Sequence, residues 1–307
     1  MLNDVQKHIL EVVAGMKNGQ ASGAVNIRTD GKKTYRANSE HITIESKTDK
    51  DGIDIRVAPG TRGEQVHIPV VLSESGFRDL VYNDFFIGEG ADVVIVAGCG
   101  IHNCGECDSQ HDGVHTFYVG KNAHVVYRES HYGEGDGAGK RILNPQTILY
   151  LEEGASVTLE TSQIRGVDDT KRYTKAVLGK NAEIVVQEKL LTHGAQHAES
   201  EMDIFLNGEG ARARVVSRSV AQEQSVQVFY PRVAGNAPCF GHVSCDAIIM
   251  GGAQVRAIPE ISCNHVDAGL IHEAAIGKIA GDQLLKLMTL GLSAQEAEEK
   301  ILEGFLR

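Results

Sequence analysis

IGEGADVVIVAG, residues 87–98, decides the fold, because versions of it recur along the chain. The other copies are VGKNAHVVYRES from Val119, LEEGASVTLETS from Leu151, LGKNAEIVVQEK from Leu178, and the weaker GEGARARVVSRS from Gly208. Successive copies are 32, 32, 27 and 29 residues apart when they are aligned on Ala91, Ala123, Ala155, Ala182 and Ala211. A further, degenerate copy is MGGAQVRAIPE, which contains Ala253.

Each copy has a Gly/Asn-rich corner, then an alanine, then an alternating stretch rich in Val and Ile. Gly and Asn tolerate the positive φ that a tight corner needs. The alternation is typical of a half-buried strand. A β repeat of this length predicts an all-β solenoid, in which each turn stacks on the previous one and buries a shared apolar interior. Because the spacing is unequal, a β-sandwich with similar hairpins remains an alternative.

The two ends of the chain have helical patterns. Residues 1–20 carry apolar side chains at helical spacing and predict a short amphipathic helix. After about Gly269 the composition becomes helical, with Gly291 placed to end one helix and a capping box, Ser293 with Glu296, placed to start the next. We therefore expect an N-terminal helix (1–20), a β-helix core (21–268) and a C-terminal helical segment (269–307).

Charge and composition exclude some function classes. The 307 residues carry a formal net charge of −11, which disfavours binding to a nucleic-acid backbone. No stretch is long and apolar enough to span a bilayer, and the N-terminus lacks the basic and apolar regions of a signal peptide. We therefore expect a cytoplasmic protein without a nucleic-acid or membrane partner. In that compartment thiols stay reduced, so disulfides are the least expected use of the six cysteines.

CGIHNCGECDSQHDGVH, residues 99–115, holds the densest cluster of metal-ligand residue types. Its C-x-x-H-x-C-x-x-C spacing, formed by Cys99, His102, Cys104 and Cys107, would let thiolates and an imidazole converge on one ion. These four residues are a candidate metal site. The alternative is a solvated corner with incidental cysteines, since the usual second C-x-x-C half is missing.

The glycine-rich GEGDGAGKR, residues 133–141, resembles a phosphate-binding loop only superficially. Glu134 stands where that motif needs glycine, and Arg141 stands where it needs Ser or Thr. We interpret the stretch as a flexible turn, so that any dependence on ATP must come from a partner.

Two later stretches hold further candidates. FGHVSCDAIIMGG contains Cys245 just before an apolar run, and EISCNHVDAGLIHEAAIGK contains the adjacent pair His272 and Glu273. On their own, a histidine and a glutamate near a helix start are most often structural.

HIPVVLSESGFRDLVYNDFFIGEGADVVIVAGCGIH, HYGEGDGAGKRILNP and HEAAIGKIAGDQLLKLMTLGLSAQEAEEKILEGF resemble the SufB/SufD family of iron–sulfur cluster assembly scaffolds. The similarity extends from about residue 65 to the C-terminus. It implies a right-handed parallel β-helix with a C-terminal helical cap. It also implies pairing of two scaffold chains, as a homodimer or with a second SufB/SufD-like chain, and docking of the C-terminal helices on a SufC-type ABC ATPase.

The resemblance also implies a site. SufB-like members carry a cysteine in a CDS-like motif and a His-Glu pair near the helical end, which match Cys245, His272 and Glu273 in this chain. The group assembled there would be a transient iron–sulfur cluster, supplied by a sulfur donor and passed to apo-protein acceptors. A further family cysteine admits sulfur. The comparable stretch here, residues 175–184, has none, so the Cys99–Cys107 loop is a candidate replacement.

The leading expectation is thus a short SufB-like scaffold that is not itself an enzyme. An alternative is a metal-dependent β-helix hydrolase or lyase, with His102, His111, Asp112 and His115 around a zinc or manganese ion. A third is a purely structural adaptor for the ATPase.

Overall fold

The computed structural model describes residues 2–306, except the side chain of Asn18. The helices are α1 (Asp4–Ala14), α2 (Gly281–Thr289) and α3 (Ala294–Phe305), with a 3-10 turn at Lys17–Gly19. The strands are β1 (Ala24–Thr29), β2 (Lys32–Ala37), β3 (Ile42–Ser46), β4 (Gly52–Val57), β5 (Arg62–Leu72), β6 (Arg78–Ile87), β7 (Asp92–His102), β8 (Ser109–Val119), β9 (His124–Glu134), β10 (Arg141–Leu143), β11 (Gln146–Leu151), β12 (Ser156–Arg165), β13 (Asp169–Leu178), β14 (Glu183–Thr192), β15 (His197–Leu206), β16 (Arg212–Ala221), β17 (Val226–Gly235), β18 (Cys239–Ile249), β19 (Gln254–Ala257), β20 (Glu260–Cys263) and β21 (Ala268–Gly277).

The strands form a β-solenoid of about eight turns with two sheet faces. One face has the order β2-β1-β5-β7-β9-β12-β14-β16-β18-β21. The other has the order β19-β17-β15-β13-β10-β8-β6-β4-β3, with β11 between β8 and β13 and β20 beside β17. Every pairing between coils is parallel, whereas β1–β2 and β3–β4 are antiparallel and close the N-terminal edges. The predicted parallel β-helix is therefore confirmed, and the sandwich alternative, which needs antiparallel sheets, is not.

The repeated corner has one backbone conformation. The residue just before the aligned alanine has a positive φ of 54° to 74° in all five copies: Gly90, Asn122, Gly154, Asn181 and Gly210. Glycine and asparagine are the residues that adopt this conformation at least cost. The following alanine is fully buried in every copy, because its small side chain points into the interior at the turn. Repeat lengths differ because the connections 103–108 and 135–140 are longer than the connection 166–168.

The interior is a continuous apolar stack that forms the main core of the solenoid. Residues of equal register in neighbouring coils lie on top of one another, as shown by the stacked rings of Phe85 and Phe117, whose centroids are 4.1 Å apart. Helix α1 buries Ile9, Leu10 and Val13 against the outside of β5 and β7. Its first turn is closed by a capping box at Asn3.

The C-terminal end departs from the expected boundary at residue 268. Strand β21 begins there and continues to Gly277, because ten residues pair in register with β18. Helices α2 and α3 then pack on each other, and Arg218 donates a hydrogen bond to the Phe305 carbonyl at 3.3 Å. Most of β21 stays exposed, so the two helices leave this edge of the solenoid open. Between residues 2 and 306, no helix is long and apolar enough to cross a membrane.

Candidate functional site

Cys245 points into the interior of the last full coil. It lies on β18, where buried and partly buried residues alternate, and it is 5% exposed. Its register neighbour on β16 is Ser217, whose hydroxyl donates to the Glu188 carboxylate at 3.0 Å. A thiol is thus held next to a buried carboxylate.

His272, on the neighbouring strand, contacts this thiol. Strand β21 lies beside β18, and Val243 is the register partner of His272. Residues two apart on a strand share a face, so His272 and Cys245 point the same way. The Cys245 Sγ atom lies 3.2 Å from His272 Nε2. The predicted cysteine and histidine are therefore brought together by parallel register.

Electrostatics keep this pair neutral. Burial raises the pKa of the Cys245 thiol to about 12, and the carboxylates of Glu188 and Asp246 add to the effect. Burial also lowers the pKa of His272, as does the neighbouring His242. A metal ion bound by Cys245 would have to displace the thiol proton, as thiolate ligation requires.

Glu273 lies on the opposite face of the same strand. Its carboxylate is 3.4 Å from His242 Nε2, and its side chain is 67% exposed. The three predicted site residues therefore divide into an inner pair, Cys245 and His272, and an outer carboxylate. His242 is not among the residues predicted from the sequence. It lies three residues before Cys245 on β18, an odd separation that places it on the outer face.

A second polar cluster lies inside the earlier coils. Cys99, His111 and His131 project inward from β7, β8 and β9 and are each 5% exposed or less. Burial raises the pKa of Cys99, but the two imidazoles more than offset this and lower it to about 7. Burial lowers the pKa of His111, and the Cys99 thiolate and Asp79 reverse this and raise it to about 10. The pKa values of Cys99 and His111 thus shift in the directions that favour a thiolate beside an imidazolium.

Buried charges extend this cluster along the lumen. Arg172 lies 2.5 Å from Glu129 and 3.8 Å from Glu188, and His131 accepts a hydrogen bond from Arg172 at 3.3 Å. Burial raises the pKa of Glu129, but Arg172 and His131 hold it well below its usual range. Because Glu188 also acts on Cys245, polar side chains connect the two cysteine regions. These charged residues stand at positions of their strands whose side chains point inward, and this alternation is the sequence signal that could have identified them.

The C-x-x-H-x-C-x-x-C residues are split between inside and outside. Cys99 faces the lumen, whereas Cys104 and Cys107 are exposed and His102 is partly exposed. His111 and His115 also face inward, while Asp112 accepts hydrogen bonds from Gln110 and Asn144. Within residues 2–306, no three or more Cys, His, Asp or Glu side chains lie where they would hold a metal ion. The four-ligand loop site and the hydrolase or lyase site thus gain no support from the geometry.

The remaining thiols lie near the C-terminal edge. Cys239 is partly buried and Cys263 is exposed, and burial raises the pKa of Cys239. All six cysteines, each within the described part of the chain, are free thiols.

Comparison with known proteins supplies relatives over most of the chain. A relative from Archaeoglobus fulgidus, named an iron–sulfur cluster assembly SufBD family protein, is 28% identical over 280 residues, covering 89% of this chain and 73% of the relative. A relative of the same name from Methanothermobacter thermautotrophicus is 26% identical over 268 residues, covering 85% of this chain and 64% of the relative. A third from Methanocaldococcus jannaschii is 25% identical over 244 residues, covering 78% of this chain and 76% of the relative.

A likeness to a solved polysaccharide lyase-like protein from C. thermocellum has a TM-score of 0.24 at 10% identity, covering 84% of this chain and 100% of that one. A TM-score this low carries no argument about function.

The family profile described as SUF system FeS cluster assembly, SufBD core domain, matches residues 82–305. This span includes the inner Cys245–His272 pair, Glu273 and both C-terminal helices. The chain therefore belongs to the SufBD family of iron–sulfur cluster assembly proteins.

Proposed function

We propose that this chain is a scaffold on which an iron–sulfur cluster is built and from which it passes to apo-proteins, in partnership with a SufC-type ABC ATPase. The observation that carries the proposal is the contact between Cys245 and His272 on the last coil, within the family-matched segment. A thiolate and an imidazole are both ligands of iron–sulfur clusters. The cluster is cargo, so two protein ligands suit it better than a closed four-ligand cage.

The open edge of β21 supports a homodimer. Its backbone pairs with β18 on one side only, and exposed apolar side chains, Ile271 and Ile276, lie along it. A long unpaired strand edge is a template for pairing with another chain. A second copy with twofold symmetry would cover this edge and place two Cys245–His272 pairs at one interface.

The C-terminal helices support ATPase docking. Helix α2 has no buried residue, and Leu285 and Leu290 are 60% and 76% exposed. Leu285 lies on α2 and Leu290 directly follows its last residue, and apolar side chains left in solvent at one short helix indicate a protein contact. The nucleotide chemistry belongs to the partner in this proposal, and the scaffold itself is not an enzyme.

Cys99 supports a second role in handling sulfur. A thiol with a pKa of about 7 is about half thiolate at neutral pH, and the thiolate is the nucleophilic form. The Cys99 position therefore suits a sulfur acceptor or a further sulfur ligand inside the solenoid.

Anaerobic reconstitution tests the proposal. The purified chain, alone and with its ATPase, would be incubated with ferrous iron and sulfide and freed of excess reagents. The proposal expects visible charge-transfer absorption that stays with the protein, with acid-labile sulfide in proportion to iron. A colourless protein in both preparations would contradict it.

A further inference from the structure

The N-terminal end of the lumen is a small pocket. It lies between the β1–β2 hairpin of one sheet face and the β3–β4 hairpin of the other. The buried side chains of Ile53, Ile68 and Val81 line it from the apolar interior. Its volume is about 120 Å³, whereas sites for drug-sized ligands span roughly 300–1,000 Å³. The pocket is therefore the size of a small ion or of one functional group of a larger molecule.

This pocket collects positive charge in a chain whose formal net charge is −11. Its cations are Arg28, Lys33, Arg36, Lys47 and Lys50. Among the described residues, Asp51 is the one acidic residue that lines it. Two of the cations are already neutralised, because Arg28 lies 2.7 Å from the Asp79 carboxylate and Lys47 lies 2.6 Å from that of Asp84. Three cations are left to consider.

Arg36 links the two hairpins without meeting a carboxylate. From β2, its Nε donates to Asn26 Oδ1 on β1 at 2.8 Å, and its Nη1 donates to Ser46 Oγ on β3 at 3.0 Å. A guanidinium has five N–H donors, so within residues 2–306 these two bonds leave three of them without a partner. Burial lowers the pKa of Arg36, and no carboxylate opposes this shift. A partly buried cation normally has a counterion, and Arg36 lacks one.

Two lysines complete the set of unpaired cations. Lys33 is the register partner of Arg28, and partners across an antiparallel pair share a face, so Lys33 lies on the pocket side of β2. Lys50, in the connection between β3 and β4, places its Nζ 4.4 Å from the centroid of the Tyr82 ring. Neither lysine forms an ion pair with the part of the chain that the structure describes. Three positive groups thus approach one small volume from two hairpins.

This arrangement fits a phosphate group better than a carboxylate. A carboxylate is planar, carries one charge and is matched by a single bidentate arginine. A phosphate group carries close to two negative charges at neutral pH, and its three oxygens accept hydrogen bonds in different directions. Cations that approach from different sides therefore favour the phosphate.

We propose that the N-terminal end of the lumen binds a phosphate group, with Arg36 as its principal ligand and Lys33 and Lys50 at the rim. Both lysines are exposed, so the rest of a phosphate monoester would extend into solvent while its phosphate occupies the pocket. The bound group would link the two hairpins across the end of the solenoid. All three cations precede residue 82, where the family-matched segment begins, so this site does not depend on the proposed function.

Titration calorimetry of the full chain tests the site. One arm uses inorganic phosphate and another uses glycerol 3-phosphate, and whichever binds more tightly identifies a free ion or a monoester as the ligand. Sodium acetate is the carboxylate control. In about 0.15 M sodium chloride, which screens exposed charges, we expect saturable binding in at least one phosphate arm and none of acetate. No saturable binding of either phosphate compound, or equally tight binding of acetate, would overturn the proposal.

Substitutions locate the bound group. Arg36→Gln should weaken phosphate binding at least about tenfold, because it removes a charge-assisted contact. Lys50→Gln should weaken it about two- to fivefold, because that lysine is exposed. Lys32→Gln is the matched control, since Lys32 precedes Lys33 on β2 and faces away from the pocket, yet its loss changes the net charge equally. If Lys32→Gln weakens binding as much as Arg36→Gln, the attraction is general and the proposal fails.

Thermal unfolding separates lost binding from a damaged hairpin. Phosphate should raise the unfolding temperature of the unsubstituted chain and of Lys32→Gln, because a ligand that binds only the folded state stabilises it. The rise should be smaller in Arg36→Gln, which controls for the general effect of the salt. Lys50→Gln keeps Arg36 and its hydrogen bonds, so a loss of affinity there does not come from a broken β1–β2 contact. An equal rise in the unsubstituted chain and in Arg36→Gln would contradict the proposal.

Discussion

Cys245 and His272 lie on neighbouring parallel strands of the last coil, with Sγ and Nε2 3.2 Å apart. Glu273 follows His272 directly, yet its carboxylate meets His242 on the opposite face. Strand alternation thus places a soft thiol–imidazole pair inside and a harder carboxylate–imidazole pair outside. The sheet edge that carries both is open, so a second chain could approach either pair.

Dimerisation through that edge predicts sensitivity to a charge on β21. Ile276→Lys should weaken self-association, because a lysine on an edge strand disfavours pairing with another strand. Val12→Lys, on helix α1 at the other end of the chain, is the control, since Val12 is similarly exposed. Light scattering at matched concentrations measures the effect. If both variants have the molar mass of the unsubstituted chain, β21 is not the interface.

ATPase docking predicts a loss of capture when the exposed face of α2 is charged. The double substitution Leu285→Asp and Leu290→Asp should abolish retention of a SufC-type ATPase in a pull-down, because two apolar side chains that the partner would bury would become charged. Val266→Asp, in a loop where Val266 is 94% exposed, is the matched control. Capture that survives the double substitution would place the interface elsewhere. Truncation at residue 267 is a poorer test, because it also removes β21.

The sequence predicted the fold well because its signals are local. Each copy of the repeat contains the Gly/Asn corner, the alanine and the alternating Val/Ile stretch, so a single copy already predicts a corner followed by a strand. The recurrence of the copies then predicts the solenoid. Cys245, His272 and Glu273 are predicted from the resemblance to SufB-like proteins, which does not indicate that Glu273 faces away from the other two. The sequence does not show which face of β21 each residue lies on, because residues 272–277 resemble the start of a helix in composition.

The buried charges were missed for a different reason. Arg172, Glu129 and Glu188 come from three strands, and only the stacking of coils makes them partners. A charged residue at an inward-pointing position of a strand needs a partner, but the sequence does not show which residue that partner is. The contact of His102 with Glu134 likewise depends on the stacking of coils, because His102 ends β7 and Glu134 ends β9.

The lumen ion pair predicts an asymmetric stability effect. Arg172→Met should destabilise the protein by about 3–5 kcal/mol, because it leaves the buried Glu129 charge unpaired. Arg128→Met breaks a surface pair with Glu160 at 2.8 Å and should cost at most about 1 kcal/mol. Urea unfolding of the two variants gives the comparison. Equal costs would mean that the lumen is hydrated and not a dry interior.

The two buried cysteines predict opposite titration behaviour. Cys99, whose pKa is about 7, should be a thiolate above neutrality, whereas Cys245, whose pKa is about 12, should stay protonated. Because the folded pKa of Cys99 lies below its ordinary value of 9.0, its contribution to stability is full above pH 9 and is lost as pH falls through about 7. Thiolate ultraviolet absorption of the chain, minus that of Cys99→Ser, should rise with a midpoint near pH 7. A midpoint near 9 would show that the imidazoles do not stabilise the thiolate.

The most direct measurement of the central claim is cluster content after reconstitution of Cys245→Ser. Serine keeps the size and the buried position of the side chain but removes the sulfur ligand. Cys263→Ser, which removes an exposed thiol near the same edge, is the matched control. Iron and acid-labile sulfide would be counted per chain, with the visible spectrum, for both variants and the unsubstituted protein. Loss of cluster in Cys245→Ser alone, with dimer and ATPase binding intact, is the predicted result, and a full complement of cluster in Cys245→Ser would contradict it.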